Sequence, residues 1–506
     1  MSSKNETKTP LSKSLEVNLA ELGKRLDFAR NFDLVKREMV VGGKPAALLF
    51  VNGLISSEQL SLVLQEFPEI GSGELKIDTF QKIFYRYIAS GQVTQVGTVE
   101  EVINSFLSGP VALLIEKEPQ AIIIDVRQYP GRAPDEPDLE KVTRGSRDGF
   151  AETLILNTAL LRRRIRDPRL RLEHLSVGAR SRTDVAIAYI EDIAKPDIVD
   201  SVREKINRIN IDGLPMAEKS VEELITPGTY WNPFPRVRYT ERPDVAAAHL
   251  LDGHVIIMVD TSPSAMILPV TMFHHLQHAE EFRQNPSVGV YIRWVRYIGV
   301  VISLILTPLW LLVALEPQLL PASLKFIGPK NAGAVPLFLQ FFMAEVAVDM
   351  IRVATIHTPS PIATSTGIIG AILLGQLAAQ VGLFVPEVVL YVAAAAIGTF
   401  LTPSFELAQA NRLARLFILL LTGFFRLPGF ILGVVATFVL LVTTRSFGVP
   451  YLWPLLPFNF RALGHVLVRP PVAVQHSRPA ILQPLDPDRQ PGMAPAKKPV
   501  FPKRRT

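Results

Sequence analysis

The chain has 506 residues, 20% of them charged, a formal net charge of +6 and no cysteine. The length allows two or three domains, and the lack of Cys excludes disulfides, Cys-ligated metal sites and thiol nucleophiles. Residues 461–506 hold nine Lys or Arg against two Asp, a net +7, so the rest is near −1 and the basic balance belongs to the tail; behind apolar segments such a tail suits anionic headgroups better than nucleic acid.

In chain order, MSSKNETKTPLSKSLEVN has no apolar run and is not a signal peptide, and 1–32 reads as a disordered segment. A first cytosolic subdomain follows at 33–127. Its segment VKREMVVGGKPAALLFVNGL predicts two strands around Gly42-Gly43, Ser57 to Phe67 a helix, and VALLIEKEPQAIIIDV (111–126) a second strand pair. Residues 128–142, rich in Pro and acid, read as a linker. The second subdomain, 143–290, opens with a helix at 149–166, then a strand pair in LRLEHLSVG and TDVAIAYIE, and helices at 195–207 and 221–225. HVIIMVDTSPSAMILPV (254–270), broken by Asp260, Ser262 and Pro263, predicts a β-hairpin, and Thr271 to Gln284 a polar helix. Strands and helices of similar weight give a two-subdomain α/β (or α+β) region.

Residues 291–445 read as an α-helical polytopic membrane domain of about five hydrophobic segments. Tyr297 to Leu315 is uncharged, about 28 Å of helix and enough for one crossing. Segments follow at 336–356, 366–385 and 388–403, and Leu413 to Val442 is either one kinked helix or a re-entrant pair, broken at Arg426 and Pro428. Arg293 and Arg296 beside the first segment place the N-terminal region in the cytosol. The tail, 446–506, is Pro-rich and basic, without the composition to pack a core.

Glu345, Asp349 and Arg352, spaced four and three, share one helix face, either as an internal ion pair or as the lining of a polar path. Between Arg352 and Glu387 no charged residue occurs, yet polar residues abound. There Gly367, Ala371, Gly375 and Ala379 form a small-residue packing stripe, and Gln376 and Gln380 a second, amide-bearing face. Amides can line a water-filled path, and Glu387 and Glu406, bracketing the fourth segment, can form acidic rings or be ordinary interfacial carboxylates. His274 and His278 stand one helical turn apart without a third metal ligand at a recognised interval, so no metal and no cofactor is expected. Arg144 to Arg171 is rich in Arg: a solvated face, or next a headgroup or subunit interface, with nucleic acid last. No P-loop, GxSxG, HExxH or dinucleotide fingerprint is present, and the chain reads as a non-enzyme.

Four stretches carry a family resemblance: DLVKREMVVGGKPAALLFVNGL (33–54), VTRGSRDGFAETLILNTALLRRRIRDPRL (142–170), FPRVRYTERPDVAAAHLLDGHVIIMVDTSP (234–263) and SPIATSTGIIGAILLGQ (360–376), the last followed by TPSFELA (402–408). With them the chain resembles the GerA family, the A-subunits of spore germinant receptors, over roughly 33–445. HHLQHAEEFRQ (274–284) is similar to a sporulation-operon member of that family. The resemblance implies an integral protein of the inner spore membrane that forms a ring-like homo-oligomer with other integral membrane germination subunits, in contact with lipid. It implies ion conduction early in germination, or else a non-conducting scaffold or accessory role that supports partners or dipicolinate release. Carried over residue by residue, it marks Arg144, Arg147, Phe150 and Arg162, Arg163 and Arg164 as subunit contacts.

Overall fold

Residues 8–65, 67, 70, 78–88, 92–130, 140–226, 230–330, 333–356 and 380–489 are described in this computed structural model. They fall into two units, one of Met1–Pro227, Tyr239–Pro269 and Pro470–Thr506, the other of Gly228–Arg238 and Val270–Arg469.

The first unit is built on two five-stranded sheets. Helix α1 (Leu15–Leu26) precedes β1 (Leu34–Val41), β2 (Lys44–Val51), α2 (Ser57–Gln65), the short α3 (Thr79–Lys82), β3 (Val93–Val96), α4 (Val99–Phe106), β4 (Val111–Ile115) and β5 (Ala121–Ile124), with strand order β1-β2-β4-β5-β3. Both faces of this sheet are covered, which is why β4 and β5 read as unbroken apolar runs. Leu49, Ala112 and Ile123 meet α1 and α4 on one face, while Leu48, Leu113 and Ile122 meet Leu60, Val63 and Phe80 on the other. Here the expectation of a disordered 1–32 is corrected for its described part, 8–32. Leu15, Leu19, Leu22 and Leu26 recur at helical spacing, and Leu22 and Leu26 are fully buried against the sheet.

The second sheet comes from α5 (Leu154–Arg164), β6 (Leu170–Val177), β7 (Thr183–Ile190), α6 (Pro196–Asn207), α7 (Ala217–Ile225), β8 (Arg238–Thr240), α8 (Pro243–Asp252), β9 (Val255–Val259) and β10 (Ala265–Leu268), in the order β6-β7-β9-β10-β8. The predicted hairpins are present, with Val41 opposite Lys44, Val177 opposite Thr183 and Met258 opposite Ala265. The described strand pairs run antiparallel, so the region is α+β rather than parallel α/β.

In the second unit α9 (Met272–His275) and α10 (Ala279–Arg283) replace the single polar helix expected over 271–284. Among the described residues four long helices follow: α11 (Pro286–Leu315), α12 (Leu337–Ile356), α13 (Pro386–Phe400) and α14 (Phe405–Thr443). Among the described residues, α11 and α14 are long and apolar enough to cross a membrane. Trp310 of α11 packs on Phe341 of α12 and Tyr391 of α13, at ring-centroid distances of 5.5 and 5.1 Å. The expected third segment lies outside the described residues apart from its last few.

The open question at Arg426 resolves into a helical hairpin. Arg426 leaves helical geometry at φ 52° and ψ −131°, and the two arms of α14 fold back on each other. A Cβ on Gly433 would stand 3.0 Å from Ile418 Cα, and one on Gly429 only 1.9 Å from the Leu421 carbonyl oxygen. Glycine is what lets the arms approach this closely.

The tail also differs from expectation as far as residue 489. Helix α15 (Phe460–Leu467) is capped by Asn459, whose side chain accepts from Ala462 N–H. In the first unit, Leu482 is buried and Arg478 donates to the Leu251 carbonyl at 2.8 Å. Single anchors hold this segment, which is why its composition hid it.

Candidate functional site

The helices of the second unit bring three charged side chains, Glu345, Arg412 and Arg415, into an apolar interior. Glu345, on the middle of α12, is 1% exposed. Arg415 of α14 donates to its Oε2 at 2.7 Å, and both side chains are 2% exposed. The same guanidinium donates to the Ser303 carbonyl of α11 at 2.5 Å and to Thr399 Oγ1 of α13 at 3.3 Å, while Thr307 Oγ1 donates to Glu345 Oε1 at 3.4 Å. One ion pair therefore ties all four helices.

A turn further along, Asp349 pairs with Arg412 of α14. Next, the Arg352 guanidinium stands 4.7 Å from the Phe405 ring centroid. The helical repeat explains this ladder: Glu345, Asp349 and Arg352 form one face of α12, and Arg415, Arg412 and Phe405 descend the antiparallel face of α14. The reading in which the α12 charges neutralise one another is corrected, since the carboxylates pair with α14. Arg412 and Arg415 were missed. Two cations three apart in an apolar stretch were the available signal.

Where α11 begins, a second cluster forms around Glu281, which is fully buried. It accepts from Arg293 Nε at 2.7 Å and pairs with Arg296. Arg469 donates to the carbonyls of Glu281, Phe282 and Gln284, and Arg293 to that of Val466 at 2.8 Å, so the segment around α15 is fastened to the start of α11. Nearby, His275 Nδ1 lies 3.2 Å from Ser404 Oγ, which donates to Glu406 Oε2 at 2.9 Å and caps α14. Burial pulls the His275 imidazole down to about 3, and the Arg238 charge adds to it, so it is neutral at physiological pH. Burial pushes the Tyr451 phenol, 6.0 Å from the His275 ring, well above its ordinary range.

His274 and His278 are caps. Thr271 N–H donates to His274 Nδ1 at 3.0 Å and Glu280 N–H to His278 Nδ1 at 3.2 Å, which splits the expected helix in two. Among the described residues no group of three His, Asp or Glu is placed to hold a metal ion.

The remaining sequence candidates are scattered. Glu387 is half-buried at the start of α13, 3.4 Å from Lys330 N–H, and Gln380 is exposed. Gln376, Gly367, Ala371, Gly375 and Ala379 lie outside the described residues. In the first unit Arg144 and Arg147 are exposed. Arg163 stacks 4.5 Å from the Tyr129 ring centroid, and Arg164 donates to Asp148 at 2.6 Å. Phe150 is buried, and Arg162 is fully so. Arg162 grips Asp33 through Nε at 2.8 Å and Nη2 at 3.0 Å, and reaches Asn31 Oδ1 at 3.1 Å. The same Asn31 oxygen accepts from Leu172 N–H at 3.0 Å. Arg162 and Phe150 are thus corrected from subunit contacts to interior residues, and Arg162 clasps the strand β1 region to β6.

The model of the family described as Bacillus/Clostridium GerA spore germination protein matches residues 22–481. Stage V sporulation protein AF of Bacillus subtilis (strain 168) is 48% identical over 467 residues, 92% of this chain and 94% of that protein. Spore germination protein GerLA of Bacillus cereus is 29% identical over 479 residues, 93% of this chain and 97% of that one. Spore germination protein KA of Bacillus subtilis (strain 168) is 28% identical over 487 residues, 95% and 89% of the two chains. Among solved structures, the N-terminal domain of the A subunit of the Bacillus megaterium spore germinant receptor GerK3 matches with a TM-score of 0.37 and 23% identity, covering 52% of this chain and 97% of that one.

Proposed function

The chain belongs to the GerA family of spore germination proteins, and we propose that it acts in germination as an integral membrane subunit that assembles into an ion-conducting oligomer. The carrying observation is the ladder between α12 and α14. Glu345 and Arg415 sit nearly unexposed inside an apolar bundle, where ionisable groups are costly and tend to mark a functional path. Removing both charges would suit packing alone at least as well. With their partners, they form a polar seam joining α11, α12, α13 and α14.

Charge at the bundle ends supports the orientation. Arg283, Arg293, Arg296, Arg445 and Arg469 lie where α11 starts and α14 ends, against Lys325, Lys330 and Arg426 at the opposite end, so the Arg-rich end is cytosolic. The inner spore membrane, neighbouring integral germination subunits and lipid are its surroundings in this reading, with Arg144, Arg147, Arg163 and Arg164 as subunit contacts. Glu387 and Glu406 serve as charged rings. Gln376 and Gln380 line the path, and Gly367, Ala371, Gly375 and Ala379 pack the helix that carries them.

A second reading, a non-conducting scaffold, is favoured by one feature: Glu345 is satisfied within a single chain. Ion release from spores separates the two. Gln376→Ala slows early ion release if the chain conducts, and leaves it unchanged if it only anchors partners. A strict monomer in detergent sinks the oligomer.

A further inference from the structure

The tip of the α14 hairpin carries an unusual residue. Arg426 has φ 52° and ψ −131°, backbone geometry that an L side chain adopts at a cost and that glycine adopts freely. Its side chain is exposed, and among the described residues it has no hydrogen-bond or ion-pair partner. Phe424 and Phe425 beside it are 70% and 60% exposed. A strained, outward arginine flanked by two outward phenylalanines has no interior role here. Its side chain is kept for something outside the chain.

Two lengths say what that is. From Leu427 to Thr444 the second arm has no charged residue, and Arg445 closes it at the other end. The helical part, Leu427 to Thr443, makes about 26 Å of helix between the two arginines, against about 30 Å of hydrocarbon in a bilayer. Independently, Arg415 reaches the Ser303 carbonyl of α11, an offset that carries Arg426 level with the end of α11, where Glu316 closes that helix's own uncharged stretch. Two helices with matching uncharged lengths end at one height.

We infer that the hairpin crosses the whole bilayer rather than dipping halfway, and that Arg426 binds lipid phosphate in the headgroup layer opposite the Arg-rich end, with Phe424 and Phe425 seated in the acyl chains below. This rests on the membrane reading above. A half-inserted tip would leave an unpaired guanidinium in hydrocarbon, at a cost of several kcal/mol. At the phosphate layer the same group gains charge-assisted hydrogen bonds.

The chain has no cysteine, so a single introduced thiol reports one position. Arg426→Cys and, on exposed α2, Ser61→Cys are placed in the full-length protein in sealed vesicles and treated with a membrane-impermeant maleimide. The expected result is labelling of the two thiols from opposite sides. Labelling from the same side, or labelling at 426 only after detergent, overturns the full crossing. Release of the unmodified protein by alkaline carbonate would overturn the membrane reading itself, which separates the two failures.

For the phosphate, thermal unfolding in a neutral detergent is followed with added phosphatidylglycerol and, in parallel, with inorganic phosphate. Phosphatidylglycerol raises the midpoint of wild type and of Arg426→Lys more than that of Arg426→Gln, and inorganic phosphate does not separate them. Equal stabilisation of all three by the lipid overturns the headgroup assignment, as does a separation produced by inorganic phosphate alone.

Discussion

Replacing Glu345 by Gln removes the carboxylate charge but keeps the side-chain volume. Arg415 is then an unneutralised cation in the bundle interior, its side chain 2% exposed, left with only uncharged acceptors, among them the Ser303 carbonyl and Thr399 hydroxyl. Breaking a buried pair from one side costs about 3–5 kcal/mol. For a unit of this size, at about 2–4 °C per kcal/mol, that lowers the unfolding midpoint by about 6–20 °C. The double variant Glu345→Leu/Arg415→Met returns close to wild type, since well-packed apolar groups replace a buried pair at little cost. Fluorescence-detected unfolding of the detergent-solubilised protein compares wild type, Glu345→Leu, Arg415→Met and the double variant as the four points of the cycle, with Glu345→Gln measured beside them. A Glu345→Gln midpoint within 2 °C of wild type would refute the pairing, as would single effects that simply add in the double variant.

Other outcomes follow from the same physics. Arg162→Ala strands Asp33 in the interior and costs about 3–5 kcal/mol, and Arg162→Lys does not rescue it because the two-nitrogen grip on Asp33 is lost; hydrogen exchange around Asn31 and Leu172 reads this out. His275 stays neutral down to about pH 3 in the folded chain, whereas in the unfolded chain it protonates near its ordinary value of 6.5. Protons therefore favour the unfolded state below 6.5, and moving from pH 7 to pH 5 removes about 2 kcal/mol of stability that His275→Asn does not lose. Gly429→Ala places a methyl 1.9 Å from the Leu421 carbonyl oxygen and prevents hairpin closure, while Gly433→Ala, at 3.0 Å from Ile418 Cα, is milder; size-exclusion profiles of the two variants should show that order.

Much of the first unit was legible because its strands come as adjacent pairs with turn residues between them, so Gly42-Gly43 and the break at Asp260–Pro263 both announced a reversal. The antiparallel direction of the ladders was less visible, since sheets covered on both faces lose the alternating pattern. Helix α1 was misread because a stripe of four leucines in a polar segment is narrow. At the ladder, one side was plain from the spacing of Glu345, Asp349 and Arg352. The partners of the two carboxylates lay farther along the chain, 70 residues away for Glu345, and no local rule links 345 to 415. Arg162 shows the opposite error: a charge in a basic run looks like surface until Asp33, 129 residues earlier, is found beside it.

The most direct measurement is current through planar bilayers containing the purified full-length protein. The proposed function predicts discrete ion currents from the wild-type oligomer that Glu345→Gln reduces or abolishes. Silent bilayers in which the protein is confirmed to be inserted would contradict it, and so would identical currents from wild type and Glu345→Gln.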